Sequence, residues 1–248
     1  MHPVNTLLSV MRLRLCRSNE SAKATTEFVA QYNRQLNELK ANSRGFKVFR
    51  DFHYDAGDHP QDYTHFECEF AARHLATRNP KTVLDIGSYR VFVLGLLAGY
   101  KVTTLDIRKR ESSLDNETVL TSDAKQFDVQ SGSFDAVVSL CALEHFGLGR
   151  YGDAFDLDAD KKAFNEMIRV LKPGGALVFT TAITGAAPSI CFNAHRIYDY
   201  KMIGALCDGL ELGKEEFYSH KLRSVCSIEQ ISNVPTVWDV YCGCWIKR

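Results

Sequence analysis

Two histidines and two arginines stand in polar stretches where chemistry on a bound molecule could be done: His145 and Arg150 within residues 144–153, His195 and Arg196 within residues 192–197. Histidine changes charge near neutrality, so either could take a proton from a hydroxyl, a service that typically gives ~10²- to 10⁴-fold in rate. His145 is the first choice for that base and His195 its competitor. Each also has a plainer reading, as a hydrogen-bonding residue that fixes its loop. Arg150 and Arg196 could clamp a carboxylate or phosphate through paired hydrogen bonds, or could pair with Asp153, Glu144 or Asp199 and shape the loops.

Acids at strand ends give a second signal. Val83 and Leu84 run into Asp85-Ile86-Gly87, which puts a small residue beside the main chain where a bulky ligand can approach. Asp106 ends the next apolar run, where it can accept hydrogen bonds from ribose hydroxyls. Tyr89 and Val91 follow Gly87 at alternate positions, where a glycine-rich turn would carry further glycines. A left-handed conformation costs a non-glycine residue ~1–2 kcal/mol, so a differently shaped turn is expected. The absence of G-x-G-x-x-G argues against a dehydrogenase.

The elements that must hold these residues follow from the periodicity. Continuous apolar runs predict strands at 82–86, 102–105, 118–121, 134–140 and 176–181, with β-prone stretches at 210–219 and 237–246. Helical spacing predicts helices at 64–76, 91–97, 161–171 and 199–207. In the third of these, Phe164, Met167, Ile168 and Leu171 form the inward stripe, Asp158 or Asp160 can cap the start, and Pro173-Gly174-Gly175 ends it. Strands alternating with helices make an α/β, doubly wound, mostly parallel seven-stranded sheet, closed by an antiparallel C-terminal pair. Both polar stretches follow strands at the carboxyl edge, so they should converge.

Residues 1–64 read as an N-terminal helical extension and cap, and 65–248 as the main domain. Leu7, Leu8, Met11 and Leu15 share one helical face beside Arg12, Arg14 and Arg17. That helix either packs on its own domain or a dimer mate, or touches a membrane surface or partner enzyme. Phe28, Val29, Tyr32, Leu36 and Leu39 form a second stripe. The aromatic and acidic segment 46–63 could cover a ligand cleft.

Lysine plus arginine total 30 and aspartate plus glutamate 30, so no summed field favours nucleic acid. The eight cysteines are scattered, which suits a reducing, cytoplasmic setting. Cys242 and Cys244 lack the second pair that zinc needs, and the acids at 153, 156, 158 and 160 lack the glycine and terminal acid of a calcium loop, so no metal site is expected. Arg12 and Arg14 break the early apolar run, and no stretch reaches the ~20 apolar residues of a membrane span.

Val83-Leu84-Asp85-Ile86-Gly87, Asp106, Ser122-Asp123-Ala124, Phe134-Asp135-Ala136-Val137-Val138 and Leu171-Lys172-Pro173-Gly174-Gly175 together resemble the successive motifs of class I S-adenosylmethionine-dependent methyltransferases. The resemblance spans roughly residues 65–248. It implies a Rossmann-like fold with S-adenosylmethionine as methyl donor. Gly87, with Ser88, would lie under the methionine end; Asp106 and Ile107 would hold the ribose, Asp123 and Ala124 the adenine, and Leu140 would line the methyl group. A closer resemblance is to an uncharacterised methyltransferase-like family marked by E-H-F-G-L-G-R-Y-G-D and F-N-A-H-R-I, here residues 144–153 and 192–197. Glu144, Arg150, Tyr151, Asp153, Asn193 and Arg196 are then the candidate acceptor contacts. The expectation is O-methylation of a saccharide or other small polar acceptor; the rival is a catalytically silent binding module with the same fold.

Overall fold

A computed structural model describes residues 24–49, 52, 62–112 and 114–248 of the chain. The chain separates into two compact units, residues 1–60 and 61–248. In the first, helix α1 (Thr26–Ala41) starts at Thr25, whose hydroxyl accepts the Phe28 N–H, and Phe28 and Tyr32 meet the Phe52 ring at 5.7 and 5.0 Å. The stripe expected on Leu7, Leu8, Met11 and Leu15 lies outside the described residues, as does most of segment 46–63. Among the described residues no helix is long and apolar enough to cross a membrane.

The second unit is built on one sheet. Its strands are β1 (Thr82–Ile86), β2 (Lys101–Asp106), β3 (Glu117–Thr121), β4 (Phe134–Leu140), β5 (Leu171–Ile183), β8 (Leu210–Ser219), β9 (Ser224–Cys226) and β10 (Asp239–Lys247). The order is β3-β2-β1-β4-β5-β10-β8-β9. The first five are parallel, and β10 runs antiparallel between β5 and β8. This is the expected doubly wound sheet with eight strands rather than seven. The additional strand is β9, three largely exposed residues hydrogen-bonded to the end of β8, too short and too polar to announce itself by an apolar run.

Alternation along the strands sorts side chains to two faces. Val83, Val102, Ala136, Val138, Val178 and Cys242 meet α2 (Tyr63–Arg78) and α3 (Arg90–Leu96) on one face. Leu84, Leu105, Val137, Leu177 and Phe179 meet α4 (Ala159–Val170) and α5 (Tyr200–Leu206) on the other. Each fully buried Leu or Phe side chain contributes ~1.5–3 kcal/mol, so both helical layers are held chiefly by apolar burial. Cys242 and Cys244 are among these core residues, 0% and 1% exposed.

Two local expectations are corrected. Pro173-Gly174-Gly175 does not separate α4 from a strand: α4 ends at Val170, and the triplet lies inside β5. The register with β4 slips there, and a bulge is where a strand accommodates a proline without an N–H. Nor does an aspartate side chain cap α4. Asp158 holds the N-cap position without accepting a helix N–H on its side chain, which takes Lys161 Nζ instead, while Asp160 is buried beneath the Tyr198 hydroxyl, which donates to it at 2.9 Å.

Candidate active site

The carboxyl ends of β1, β2 and β4 open into a cavity of about 760 Å³, in the upper part of the ~300–1,000 Å³ common for small-molecule sites. Asp85, Gly87, Ser88, Asp106, Leu140, Glu144, His145, Arg150, Tyr151 and His195 all line it, as do Tyr63 and Trp238 from α2 and the approach to β10. A narrower pocket of about 70 Å³ adjoins it and takes in Ile107, Asp123, Ala124 and Asp153. The predicted donor contacts and both histidines therefore sit around one cleft.

At the head of that cleft the chain turns on a single left-handed residue. Gly87 has φ +71, and a Cβ there would stand 3.0 Å from the Ala142 Cβ. Tyr89 is extended, with φ −60 and ψ 125, and its hydroxyl donates to Glu67 Oε2 at 3.1 Å. The turn is shaped differently from a glycine-rich loop, as expected, and passes directly into α3 at Arg90, so Tyr89 carries no left-handed strain. Asp85 is 3% exposed, its Oδ1 has no hydrogen-bond partner, and burial pushes its pKa up to about 7 against the opposing bonds from Ser88.

Asp106 is already engaged. The Arg108 backbone N–H and Nε donate to its Oδ1 at 2.9 Å each, and Nη2 to its Oδ2 at 2.6 Å. Burial works against the charge, but these bonds hold the carboxyl below its usual range. The Arg108 guanidinium lies 4.8 Å over the Tyr151 ring, which ties the end of β2 to residues 144–153. Nearby, Arg90 and Arg110 both pair with Glu117, whose side chain is fully buried.

Past β4, Cys141 takes φ +45 and the chain enters a short 3-10 turn, Leu143–His145. The Cys141 thiol donates to Glu67 Oε1 at 2.6 Å. Glu144 is 3% exposed and accepts the Thr181 hydroxyl at 3.1 Å. Burial raises both Glu67 and Glu144 to about 7. Sequence reasoning missed Glu67, although it sits with Phe66, Phe70 and Ala71 on the buried side of α2, and a carboxylate on an apolar stripe is itself a signal.

The two polar stretches do converge, and the contact is His145. Its Nδ1 lies 2.5 Å from the Ala194 carbonyl oxygen, which can only accept, so Nδ1 carries the proton and Nε2 is left as an acceptor. Arg150 Nη1, 3.4 Å from the same Nδ1, is therefore a neighbour rather than its donor. Burial, with Arg150 and His195 nearby, lowers His145 to about 4 despite the Ala194 bond, so the ring is neutral at physiological pH. His195 is lowered by the same kind of burial and by Arg150, and its ring centroid is 6.3 Å from that of His145.

Not every predicted acceptor contact reaches the cavity. Arg196 is 5% exposed; its Nη1 donates to the Phe146 carbonyl at 2.6 Å, its Nη2 to those of Asp156 and Leu157, and its Nε stands 3.6 Å from Asp160. That guanidinium is saturated by the scaffold and cannot clamp a ligand. Asn193 is exposed with φ +57, the turn residue of the hairpin β6 (Ser189–Cys191) and β7 (His195–Ile197), and lines neither cavity. Asp153 accepts the N–H groups of Gly149 and Tyr151 and faces the narrower pocket, together with Ile107, Asp123 and Ala124. Gly147 lets the loop pass α4: with φ +72, a Cβ would fall 2.2 Å from the Asp156 carbonyl oxygen.

The family model described as Caenorhabditis protein of unknown function, DUF268, matches residues 90–233, which include both polar stretches. The malonyl-[acyl-carrier protein] O-methyltransferase of Marinomonas sp. (strain MWYL1) is 29% identical over 169 residues, 61% of this chain and 58% of that protein. The chain thus spans a little over half the length of that curated relative. N-methyltransferase NodS from Bradyrhizobium japonicum WM9, in complex with S-adenosyl-L-homocysteine, superposes with a TM-score of 0.53 at 16% identity over 87% of this chain and 98% of that one. The 1,6-didemethyltoxoflavin-N1-methyltransferase of Burkholderia thailandensis gives 0.55 at 14% identity over 92% of each. The fold is that of class I methyltransferases.

Proposed function

The chain belongs to the DUF268 family, and from that premise and the geometry of its cleft we propose that it is an S-adenosylmethionine-dependent methyltransferase acting on a hydroxyl of a saccharide or other small polar acceptor. The observation that carries this reading is His145. Its Nδ1 proton is fixed on Ala194, so the unprotonated Nε2 is the nitrogen available at the cleft where donor and acceptor sides meet. The relatives include an O-methyltransferase and N-methyltransferases, and a neutral imidazole suits the former, because a hydroxyl must lose a proton as it is methylated.

The residues present fit the donor. Asp85 offers a buried oxygen without a partner, which suits an ammonium, and Gly87 leaves the main chain uncovered beside it. Asp106 would take the ribose: Oδ1 has two Arg108 donors and Oδ2 one, so one acceptor position stays open on Oδ2 and a second needs Arg108 to give way. Ile107 would lie beside the ribose, and Asp123 and Ala124 would meet the adenine. When bound, S-adenosylmethionine supplies a methyl group on a positively charged sulfur. The protein would align the acceptor oxygen with that carbon, and His145 Nε2 would receive the hydroxyl proton as the oxygen–carbon bond forms and the carbon–sulfur bond breaks, its electron pair remaining on the sulfur.

One observation favours the second reading, a silent module of the same fold: Asp106 is held by Arg108 rather than left open. Calorimetry with S-adenosylhomocysteine separates the two. Binding with Kd below ~1 mM supports the enzyme, and no heat at millimolar ligand overturns it.

A further inference from the structure

Besides the donor, the cleft has a second half, and its lining is unusual in composition. Going from the Tyr151 ring, centroids follow at 6.0 Å to His145, 6.3 Å to His195 and 5.9 Å to Trp238. Trp238 is held edge-on by Tyr63 at 5.4 Å and His220 at 4.3 Å, so its position is fixed by packing. Among the described residues its indole N–H has no hydrogen-bond partner, whereas the other tryptophan, Trp245, donates to the Tyr241 hydroxyl. A wall of rings whose polar edges are left open suits a ligand with apolar C–H faces and many hydroxyls.

Charge adds a second requirement. Of the cations around the cleft, Arg90 and Arg110 share the one Glu117 carboxylate, which leaves one net positive charge between them, and Arg108 pairs with Asp106. Arg150, beside His145 at one end of the ring wall, has no carboxylate partner among the described residues, and neither does Lys109. Burial raises Asp85 and Glu144 to about 7, so near neutrality each carries only part of a full negative charge.

We propose that the acceptor is an anionic saccharide, such as a sugar phosphate or a uronic acid, with its ring against Trp238 and its negative group on Arg150. This deepens the methyl-transfer reading and rests on it. Arg150 supplies planar paired donors to the carboxylate or phosphate, while Trp238 and His195 take the sugar ring, which brings a ring hydroxyl to His145.

The test uses tryptophan emission of the full chain, with and without S-adenosylhomocysteine, read as the difference between wild type and Trp238→Phe, titrated with glucose 6-phosphate and glucuronate and, for comparison, glucose, inorganic phosphate and 4-hydroxybenzoate. The expected result is a saturable change from an anionic sugar, at least ~10-fold tighter than from glucose or phosphate alone, with that advantage lost in Arg150→Ala. Equal affinity for glucose, or an advantage retained in Arg150→Ala, would overturn the anionic half. Silence across both anionic sugars at ~10 mM, or tighter binding of 4-hydroxybenzoate, would overturn the saccharide half. Thermal melting of both variants checks the fold, and calorimetry with S-adenosylhomocysteine on the same samples tests the donor reading separately.

Discussion

Arg150 and Arg196 are the same residue type in two stretches that meet at one point, yet their surroundings are opposite. Arg196 is buried with its donors on three backbone carbonyls and Asp160 nearby, while Arg150 is exposed beside the cavity with no carboxylate partner among the described residues. The same division separates two layers of the site. An under-layer of Arg196 and Glu67 has its polar atoms taken up, the first by backbone carbonyls and the second by Tyr89 and Cys141, and an open layer of Arg150, His195, Trp238 and His145 lines the cavity. Residue type points to possible ligand chemistry; hydrogen-bond saturation decides which side chains retain it.

The sharpest way to break this comparison is Arg196→Ala. Removing a buried guanidinium leaves Asp160 and three carbonyls short of donors, so a loss of ~3–5 kcal/mol in chemical denaturation is expected. A loss below ~1 kcal/mol would move Arg196 out of the under-layer.

Next in size is the pH response of Glu67. Its folded pKa of about 7 lies above its ordinary 4.5, because burial opposes the charge. Between those values the native state holds a proton that the unfolded chain has released, so stability falls as pH rises through the window. Glu144 adds in the same direction. Glu67→Gln should flatten the decline in unfolding free energy from pH 5 to pH 8 by an amount on the order of 3 kcal/mol. An unchanged slope would exclude Glu67 as its source.

His145→Ala tests the open layer. Methyl transfer should fall at least ~10-fold with donor affinity nearly unchanged, as for a base that touches only the acceptor. Since burial holds His145 at about 4, wild-type turnover should show no loss at pH 6 assignable to this ring. Unchanged turnover in the variant would pass the role to His195. The smallest effect expected on stability belongs to Arg150→Ala, within ~0.5 kcal/mol of wild type by denaturation, because nothing in the scaffold depends on it.

Much of the frame was legible because burial leaves an unbroken trace in sequence. Strands 82–86 and 134–140 coincide with their apolar runs, each ending at the carboxyl edge where the site lies. Asp85, Asp106 and His145 were legible through that edge. Tyr63 closes the aromatic segment expected to cover a cleft, but Trp238 and Glu67 were not legible, because they are delivered by the approach to β10 and by α2, and no local pattern connects segments so far apart. Arg196 and Asn193 were read as ligand contacts since one sequence cannot tell a hairpin that holds a loop from a loop that holds a ligand. The altered turn at Tyr89 was legible from the cost of a left-handed non-glycine residue; its direct passage into α3 at Arg90 was not.

The Asp106–Arg108 pair has a kinetic consequence. If ribose hydroxyls take over Asp106, Arg108 is released from one partner while its guanidinium remains over Tyr151, in the stretch that also carries His145 and Arg150. Donor entry would then be an exchange of partners felt on the acceptor side, and linkage makes such an effect reciprocal. The hypothesis is a preferred order of addition, donor before acceptor. Product-inhibition patterns should report that order in wild type and a random one in Arg108→Ala; the same pattern in both would remove Arg108 as the link.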